Sequence, residues 1–596
     1  MPPKLTLPGA RRRVATRRSV TGLRKRDAEL LRGADGRYPH AYVPELADGF
    51  AAGRTDRRGF LRTACLLGVS ASAAYAFAGL VDGGPMAPPA RARDVPRRGG
   101  ELRFAMEVME ITDPATFAWS QQANITRWIV EYLTRTGPDN VTLPYLAEGW
   151  EASDDLKTWT FTLRRDVRWS NGDRFTADDV VANFQRWFDP ELGSPNRSLF
   201  DGLGERGEVT QANTPPRPPA GLRAGAVEKL GEHSFRLHLS RPDLSVPESL
   251  YNYPAAILHR DFDAMGGDLQ ANPIGTGPYA LAAFAAGEEA RLVRRPDGYW
   301  GAPPHLDAIR YIDQGRDRRQ MLGALLDDQV DGVFEVDVGD LPLLEGIAGI
   351  DLHAVSTART GVCRMRVDTP PFDDIRVRRA VQLGADNRDL LINGYNRRGV
   401  IAENHHVGPM HPEYATLPAV ARDPAHARQL LADAGYPDGL QLTLTVGNVQ
   451  GPWEQRVAQV LQQQLRQAGI DLKLEIVTPS DYVRTWTQVA FGMTSWTHRP
   501  LGVMALNLGY RSGQAWNETR YSNPEFDAKL DTANGLLDPN ARREVMEEVQ
   551  RILQRDAVMV QPFWRNQYVA TRTRVRGYQT HPTQYHQFQD VWVDDA

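Results

Sequence analysis

Apolar and polar positions alternate over Thr158–Leu163: Trp159, Phe161 and Leu163 point one way, Thr160 and Thr162 the other. A period of two predicts a strand with one buried face. Ser170-Asn171-Gly172-Asp173 then reads as a turn, with a glycine free to take positive φ. Thr176 is a good N-cap, and Asp179 three residues on can answer its amide, close to a capping box. Val180, Val181, Phe184 and Trp187 follow at helical spacing. Further along, the pattern becomes a rhythm. A helix over 425–434 stops at Gly435, and 441–446 is a strand. A helix over 453–468 stops at Gly469, and 471–477 is a strand. Helix–glycine–strand repeats predict crossover units on a partly parallel sheet, hence an α/β fold. Earlier elements fit this: strands over 101–106 and 330–336, and helices over 124–133 and 317–326.

At 596 residues the chain is too long for one simple core, which predicts two or more domains. Its formal net charge of −4 carries no basic excess, so no nucleic-acid partner is expected. Cys65 and Cys363 are the only two cysteines, which excludes a disulfide framework or a Cys-rich metal site.

The N-terminus has a different texture. Residues 1–54 are expected to be a disordered basic extension, with Arg11-Arg12-Arg13 and Arg24-Lys25-Arg26 near its start. Residues 55–82 carry Arg57-Arg58-Gly59-Phe60-Leu61, then an uncharged run of 18 residues from Ala64 to Val81 that contains Ala76-Phe77-Ala78. This is the build of a secretory signal, and the paired arginines resemble a twin-arginine signal, the type that exports folded proteins. The alternative is a membrane tether, since the run just reaches spanning length, but Ala, Gly and Ser insert weakly. Arg62 three residues before Cys65 argues against lipidation of that cysteine. Residues 83–96, rich in Gly, Pro and Arg, read as a linker. The remainder is expected to be soluble and periplasmic.

The search for chemistry returns no H-E-x-x-H, G-x-S-x-G, P-loop or G-x-G-x-x-G, and no carboxylate pair stands out, so an enzyme is not expected. No cofactor is expected either. Cys363 reads as a buried strand residue rather than a thiol nucleophile. His405-His406 and His411, with Glu403 and Glu413 nearby, have spacing that permits a metal, but they sit in an irregular Gly/Pro loop, so no metal ligand is assigned. The densest candidate stretch is Ser495-Trp496-Thr497-His498-Arg499-Pro500, followed by Gly509-Tyr510-Arg511 and Trp516-Asn517. Aromatic plates and guanidinium groups on a Gly/Pro-shaped loop suit a polar organic ligand.

One ordered run identifies a family. Leu146-Ala147 to Trp150, Asp155 through Trp159-Thr160-Phe161-Thr162-Leu163-Arg164, and Val167-Arg168-Trp169 through Asn171-Gly172, Phe175-Thr176-Ala177 and Asp179-Val180 resemble the signature of the family 5 extracellular solute-binding proteins. These are the periplasmic peptide, oligopeptide, opine and nickel-chelate receptors of ABC importers. Asn272-Pro273-Ile274-Gly275-Thr276-Gly277-Pro278-Tyr279, Pro371-Phe372-Asp373-Asp374 with Arg376-Val377-Arg378, and Tyr521-Ser522-Asn523-Pro524-Glu525-Phe526-Asp527 match the same family in the same order.

The resemblance implies a two-lobed Venus-flytrap fold. Its first lobe is 97–358 plus 561–596, with a β-rich subdomain over about 141–272, and its second is 359–560. The crossings lie near 360–368 and 558–564, and Thr214-Pro215-Pro216-Arg217-Pro218-Pro219 is a loop insertion. It also implies a small-molecule solute, an ABC permease and ATPase complex as partner, and a monomer. A metal-chelate receptor and a sensor or chaperone on the same fold are the alternatives. Peptide-binding relatives read "G-W-x-x-D" where this chain has Trp496 to Arg499, and their Asp grips the ligand's ammonium. The charge here is reversed, so the ligand is expected to present an anion to Arg499. Trp496 and Trp516 would be walls, Asn517 a hydrogen-bonding group, Arg511 a second-choice anion partner, His498 and His405 further contacts, and Trp119 a wall from the other lobe.

Overall fold

The computed structural model describes residues 28–33, 35–86, 95–205, 221–296, 298–315 and 317–594. The Pro-rich insertion and the first 27 residues lie outside these. Two long strands organise the molecule: β1 (Ile350–Met365) and β2 (Phe563–Arg572), antiparallel, with Ile350 opposite Arg572 and Thr360 opposite Trp564. They sit at the middle of a twelve-stranded mixed sheet. Beyond β2 lie Gly332–Val333, Glu101–Ala105, Ala308–Ile312, Glu289–Arg294 and Tyr279–Ala285 in that order. Beyond β1 lie Phe491–Trp496, Leu440–Val446 and Ile470–Ile476, the last two in parallel register. The chain therefore forms two lobes joined through β1 and β2. The signature builds a separate four-stranded antiparallel sheet from Ala147–Ala152, Thr158–Leu163, Ser234–His238 and Val227–Gly231. The Thr176/Asp179 capping box forms, with the Thr176 amide 2.8 Å from Asp179 Oδ2.

The predicted helix–strand rhythm is realised by local packing. In the helix Trp453–Arg466, Trp453, Val457, Leu461 and Leu465 are buried at successive turns against Leu442, Leu444 and Met493. Each such side chain contributes about 1.5–3 kcal/mol on leaving water.

Three expectations are corrected. The helix expected over 124–133 ends at Thr126. The carbonyls that would continue it are taken by another segment: Gly277 N–H donates to Ile129 O (2.8 Å) and Tyr279 N–H to Trp128 O (3.0 Å). That approach needs glycine, because a Cβ at Gly275 would lie 1.8 Å from Ile129 O. The strand expected over 330–336 shortens to Gly332–Val333. The largest difference is at the N-terminus, where the sequence predicts a disordered extension over 1–54 and a signal segment over 55–82 that stands apart from the fold. Three helices, α1 (Val43–Ala51), α2 (Arg57–Leu66) and α3 (Ala71–Asp82), pack on one another and on the body. Phe60 stacks on Phe50 at 4.7 Å and meets Phe77 at 5.3 Å. Val43, Leu46, Ala47 and Phe50 do follow helical spacing, and the arginines around them masked the signal. Among the described residues no helix is long and apolar enough to cross a membrane.

Candidate functional site

β1 is irregular where it crosses between lobes. Its register with β2 shifts between Ser356 and Arg359, a bulge that releases the Ala358 N–H from the ladder. That N–H donates to His498 Nδ1 at 2.9 Å. With Nδ1 accepting, Nε2 carries the proton and donates to Asn140 Oδ1 at 2.9 Å. His498, from the loop after the strand Phe491–Trp496, is thus fixed by the crossing strand behind it and by the first lobe opposite.

Other contacts cross the same seam. Gln514 Nε2 donates to Asp201 Oδ2 (2.7 Å), Arg456 to Asp337 Oδ1 (3.0 Å), and Arg398 pairs with Glu345 (2.6 Å). The lobes are closed on each other. Between them remains a cavity of about 20 Å³, bounded by Asn140, Glu248, Tyr251, His498, Arg499, His581 and Tyr585. That is room for about one water. A larger open groove of about 590 Å³ lies away from the seam among Arg379, His426 and Lys529, where Lys529 is paired with Glu548 and Arg555 with Asp556.

Arg499 is the unusual member. It is 4% exposed. Nη1 donates to Thr497 Oγ1 (3.1 Å) and to His498 O (3.3 Å), and the Tyr253 hydroxyl lies within reach of the guanidinium. Among the described residues no carboxylate pairs with it. Tyr253 is close enough to feel its charge: burial raises the phenol's pKa and Arg499 pulls it back. A second cation backs the wall. Arg127 donates to the Tyr251 hydroxyl at 2.9 Å and lies 4.1 Å over the Tyr585 ring, a cation–π pair in a dry site. The carboxylate facing the cavity does not offset them, because burial pushes Glu248 up to about 8, so it carries its proton at neutral pH.

Of the residues expected at the ligand, the structure brings His498 and Arg499 to the cavity. The others serve elsewhere. Trp496 donates from Nε1 to Glu518 (2.8 Å) and packs edge-on to Trp516 and His406. Arg511 pairs with Asp531 (2.8 Å) and Asn507. The Asn517 amide serves the carbonyls of Arg511 (3.0 Å) and Tyr521 (2.8 Å). His405 is fully buried, with Glu403 3.5 Å from its Nε2. Trp119 is a half-buried helix N-cap. His406 and His411 are equally occupied, by the Tyr510 hydroxyl (2.8 Å) and the Arg499 carbonyl (3.0 Å). Among the described residues no three such side chains are placed to hold a metal. The other wall is not among the residues that the sequence points to. Tyr251-Asn252-Tyr253 and His581-Pro582-Thr583-Gln584-Tyr585 are as dense in aromatic and polar groups as 495–517, and that density was the available signal.

Comparison with known proteins agrees with this architecture. The dipeptide-binding protein of Escherichia coli (strain K12) is 25% identical over 479 residues, covering 76% of this chain and 86% of that protein. Heme-binding protein A of Haemophilus influenzae is 26% identical over 475 residues, covering 76% and 84%. Among solved structures, the periplasmic binding protein DppA of Helicobacter pylori in complex with peptide STSA superimposes with a TM-score of 0.71 at 20% identity, over 84% of this chain and 99% of that one. AgaA from A. tumefacien R10 in complex with agropinic acid gives 0.72 at 20%, over 83% and 99%. The model of the bacterial extracellular solute-binding proteins, family 5 (middle region), matches residues 142–518, and with more than half its length inside that match the chain belongs to this family.

Proposed function

We propose that this chain is an exported receptor that closes its two lobes on a small organic solute bearing an anionic group and delivers it to an ABC-type importer. The observation that carries the anion is Arg499, a buried guanidinium whose partners are neutral groups and which has no carboxylate beside it among the described residues. An uncompensated charge in a dry site is costly, and a ligand carboxylate or phosphate, met in fork geometry, would remove that cost. Arg127 behind Tyr251 and Tyr585 adds to the positive field, and a protonated Glu248 does not cancel it. A free peptide amine at the same point would meet a cation instead. The relatives named for peptides and haem keep the class of solute broad, and the complex with agropinic acid illustrates that the fold accommodates an acid. Residues 55–82 would act as a twin-arginine-type export signal.

The test is a thermal-shift panel of acidic solutes on the wild type and on Arg499→Ala, followed by titration of any hit. Losing one partner of a buried charge pair costs about 2 kcal/mol or more, so affinity should fall at least about 30-fold. Equal binding by both proteins would remove Arg499 from the site. Solute recovered after binding should be chemically unchanged.

A further inference from the structure

The segment 35–86 does not hang free of the body; it lies across the seam between the lobes. Arg62 of α2 shows this most directly. Its guanidinium is buried, with the residue 8% exposed, and it donates from Nη1 to Met410 O of the second lobe (3.2 Å) and from Nη2 to Asp139 O of the first (3.3 Å). These carbonyls are one residue from the groups that frame the cavity. Asp139 precedes Asn140, which accepts from His498, and Met410 precedes His411, which holds the Arg499 carbonyl. Both lobes are held at further points. On the first, Tyr75 donates to Asp139 Oδ2 (2.8 Å) and Trp150 Nε1 to Leu66 O (2.6 Å). On the second, the Asn540 amide donates to Arg54 O (3.0 Å). The fit is close: a Cβ at Gly68 would lie 2.3 Å from Trp150 O. Burial and the neighbouring Arg58 work against the charge on the Arg62 guanidinium, and Glu413 and Asp139 are near enough to support it.

We propose that residues 35–86, while still attached, form a strap over the interlobe seam that holds the lobes closed, with the Arg62 guanidinium as the pin between Asp139 and Met410. Opening the cleft then requires the strap to leave at least one lobe. Arg57, first of the paired arginines, is engaged with Asp82 (2.6 Å) and stacked near Tyr75 in this state. A receptor that reads the arginine pair would therefore need the strap released. The inference rests on the two-lobed closure described above but not on the nature of the solute.

The experiment uses the full chain without solute. Spin labels at Leu230→Cys and Ile476→Cys, exposed strand positions on the two lobes, report the interlobe distance in a Cys65→Ser background. In the unlabelled chain, alkylation of Cys65, 2% exposed with burial pushing its thiol up to about 12, reports release of α2. The wild type should show one narrow distance and slow alkylation. Arg62→Glu, which sets a carboxylate against Glu413 and Asp139, should lengthen and broaden the distance and speed alkylation at least tenfold. Tyr75→Phe, which removes only a hydroxyl, should move both readouts the same way by less, with circular dichroism unchanged. A released strap over an unchanged distance, a changed distance over a protected Cys65, or no change in either for both variants overturns the proposal. Because no solute is present, failure of the anion assignment leaves these outcomes untouched.

Discussion

His411 donates from Nε2 to the carbonyl of Arg499 at 3.0 Å, and its Nδ1 accepts the Gly408 N–H at 3.0 Å. Both nitrogens are spoken for only in the neutral ring. Burial pushes His411 down to about 4, the opposing pull of Glu413 notwithstanding, and His405 and His406 beside it to about 3. In the unfolded chain these rings titrate near 6.5. The unfolded state therefore binds more protons between the two values. The stability they contribute is complete above about pH 6.5 and drains away as pH falls toward 4 for His411 and toward 3 for His405 and His406. For His411 alone the loss by pH 5 is about 2 kcal/mol. The thermal midpoint should fall steadily from pH 7 to pH 5, and His411→Gln should flatten part of the slope. A midpoint constant over that range would mean the rings are solvated.

Arg499 is the expected anion partner and Arg511 the second choice, and their surroundings differ. Arg511 is matched by Asp531 and Asn507, whereas Arg499 has no counter-ion among the described residues. Arg511→Ala should cost about 2 kcal/mol of folding stability and leave solute affinity within about twofold. Arg499→Ala should do the reverse, reducing affinity while leaving the unfolding midpoint equal or higher, because a buried unpaired charge has gone. Urea unfolding and titration calorimetry on the two variants decide it, and a swap of the two phenotypes would mean the assignment is inverted.

The fold was legible because its signals are local. The period-two run at Thr158–Leu163, the capping box at Thr176 and the glycine stops at Gly435 and Gly469 act within a few residues of themselves, and the structure realises each. The helix expected through Leu133 failed because a competitor distant in sequence, Gly275–Tyr279, takes its carbonyls. The site was legible on one wall only. Trp496 and Arg511 look alike in sequence to Arg499, and what distinguishes them is whether Glu518 or Asp531 folds back on them. The opposite wall comes from Asn140, Tyr251 and Tyr585, which no spacing rule connects.

His498 ties the bulge in β1 to the first lobe through one hydrogen bond on each ring nitrogen. Asn140→Ala removes one half of that tie without touching the hinge. It leaves His498 Nε2–H without its acceptor, which costs about 1–3 kcal/mol where the group stays dry. The open form, where water satisfies the ring, should gain population. Small-angle scattering should report a larger radius of gyration for Asn140→Ala, and added solute should restore the wild-type value.

A cluster of largely buried charges lies where the strands cross. Glu335 accepts from Arg359 Nη1 (2.8 Å), Arg565 Nη2 (3.0 Å) and Gln584 Nε2 (2.9 Å), with Gln450 beside both arginines. Burial alone would raise the Glu335 carboxyl, but the charges of Arg359, Arg565 and Arg318 pull it down to about 2. Its sign is that of a depressed carboxylate: the stability is present above the unfolded value near 4.5 and is lost as pH falls from there toward 2. This window overlaps the lower end of the histidine window, which for His405 and His406 reaches about 3, so stability should fall continuously from pH 6.5 downward, with the histidines alone responsible above pH 4.5. Glu335→Gln keeps the size and leaves Arg359 and Arg565 without their counter-charge, at a cost of about 3–5 kcal/mol. The variant should be destabilised at pH 7, retain the slope between pH 6.5 and 5, and show a shallower slope below pH 4.5, where His405 and His406 still titrate. Loss of the upper slope instead would show that Glu335 and the histidines titrate as one network.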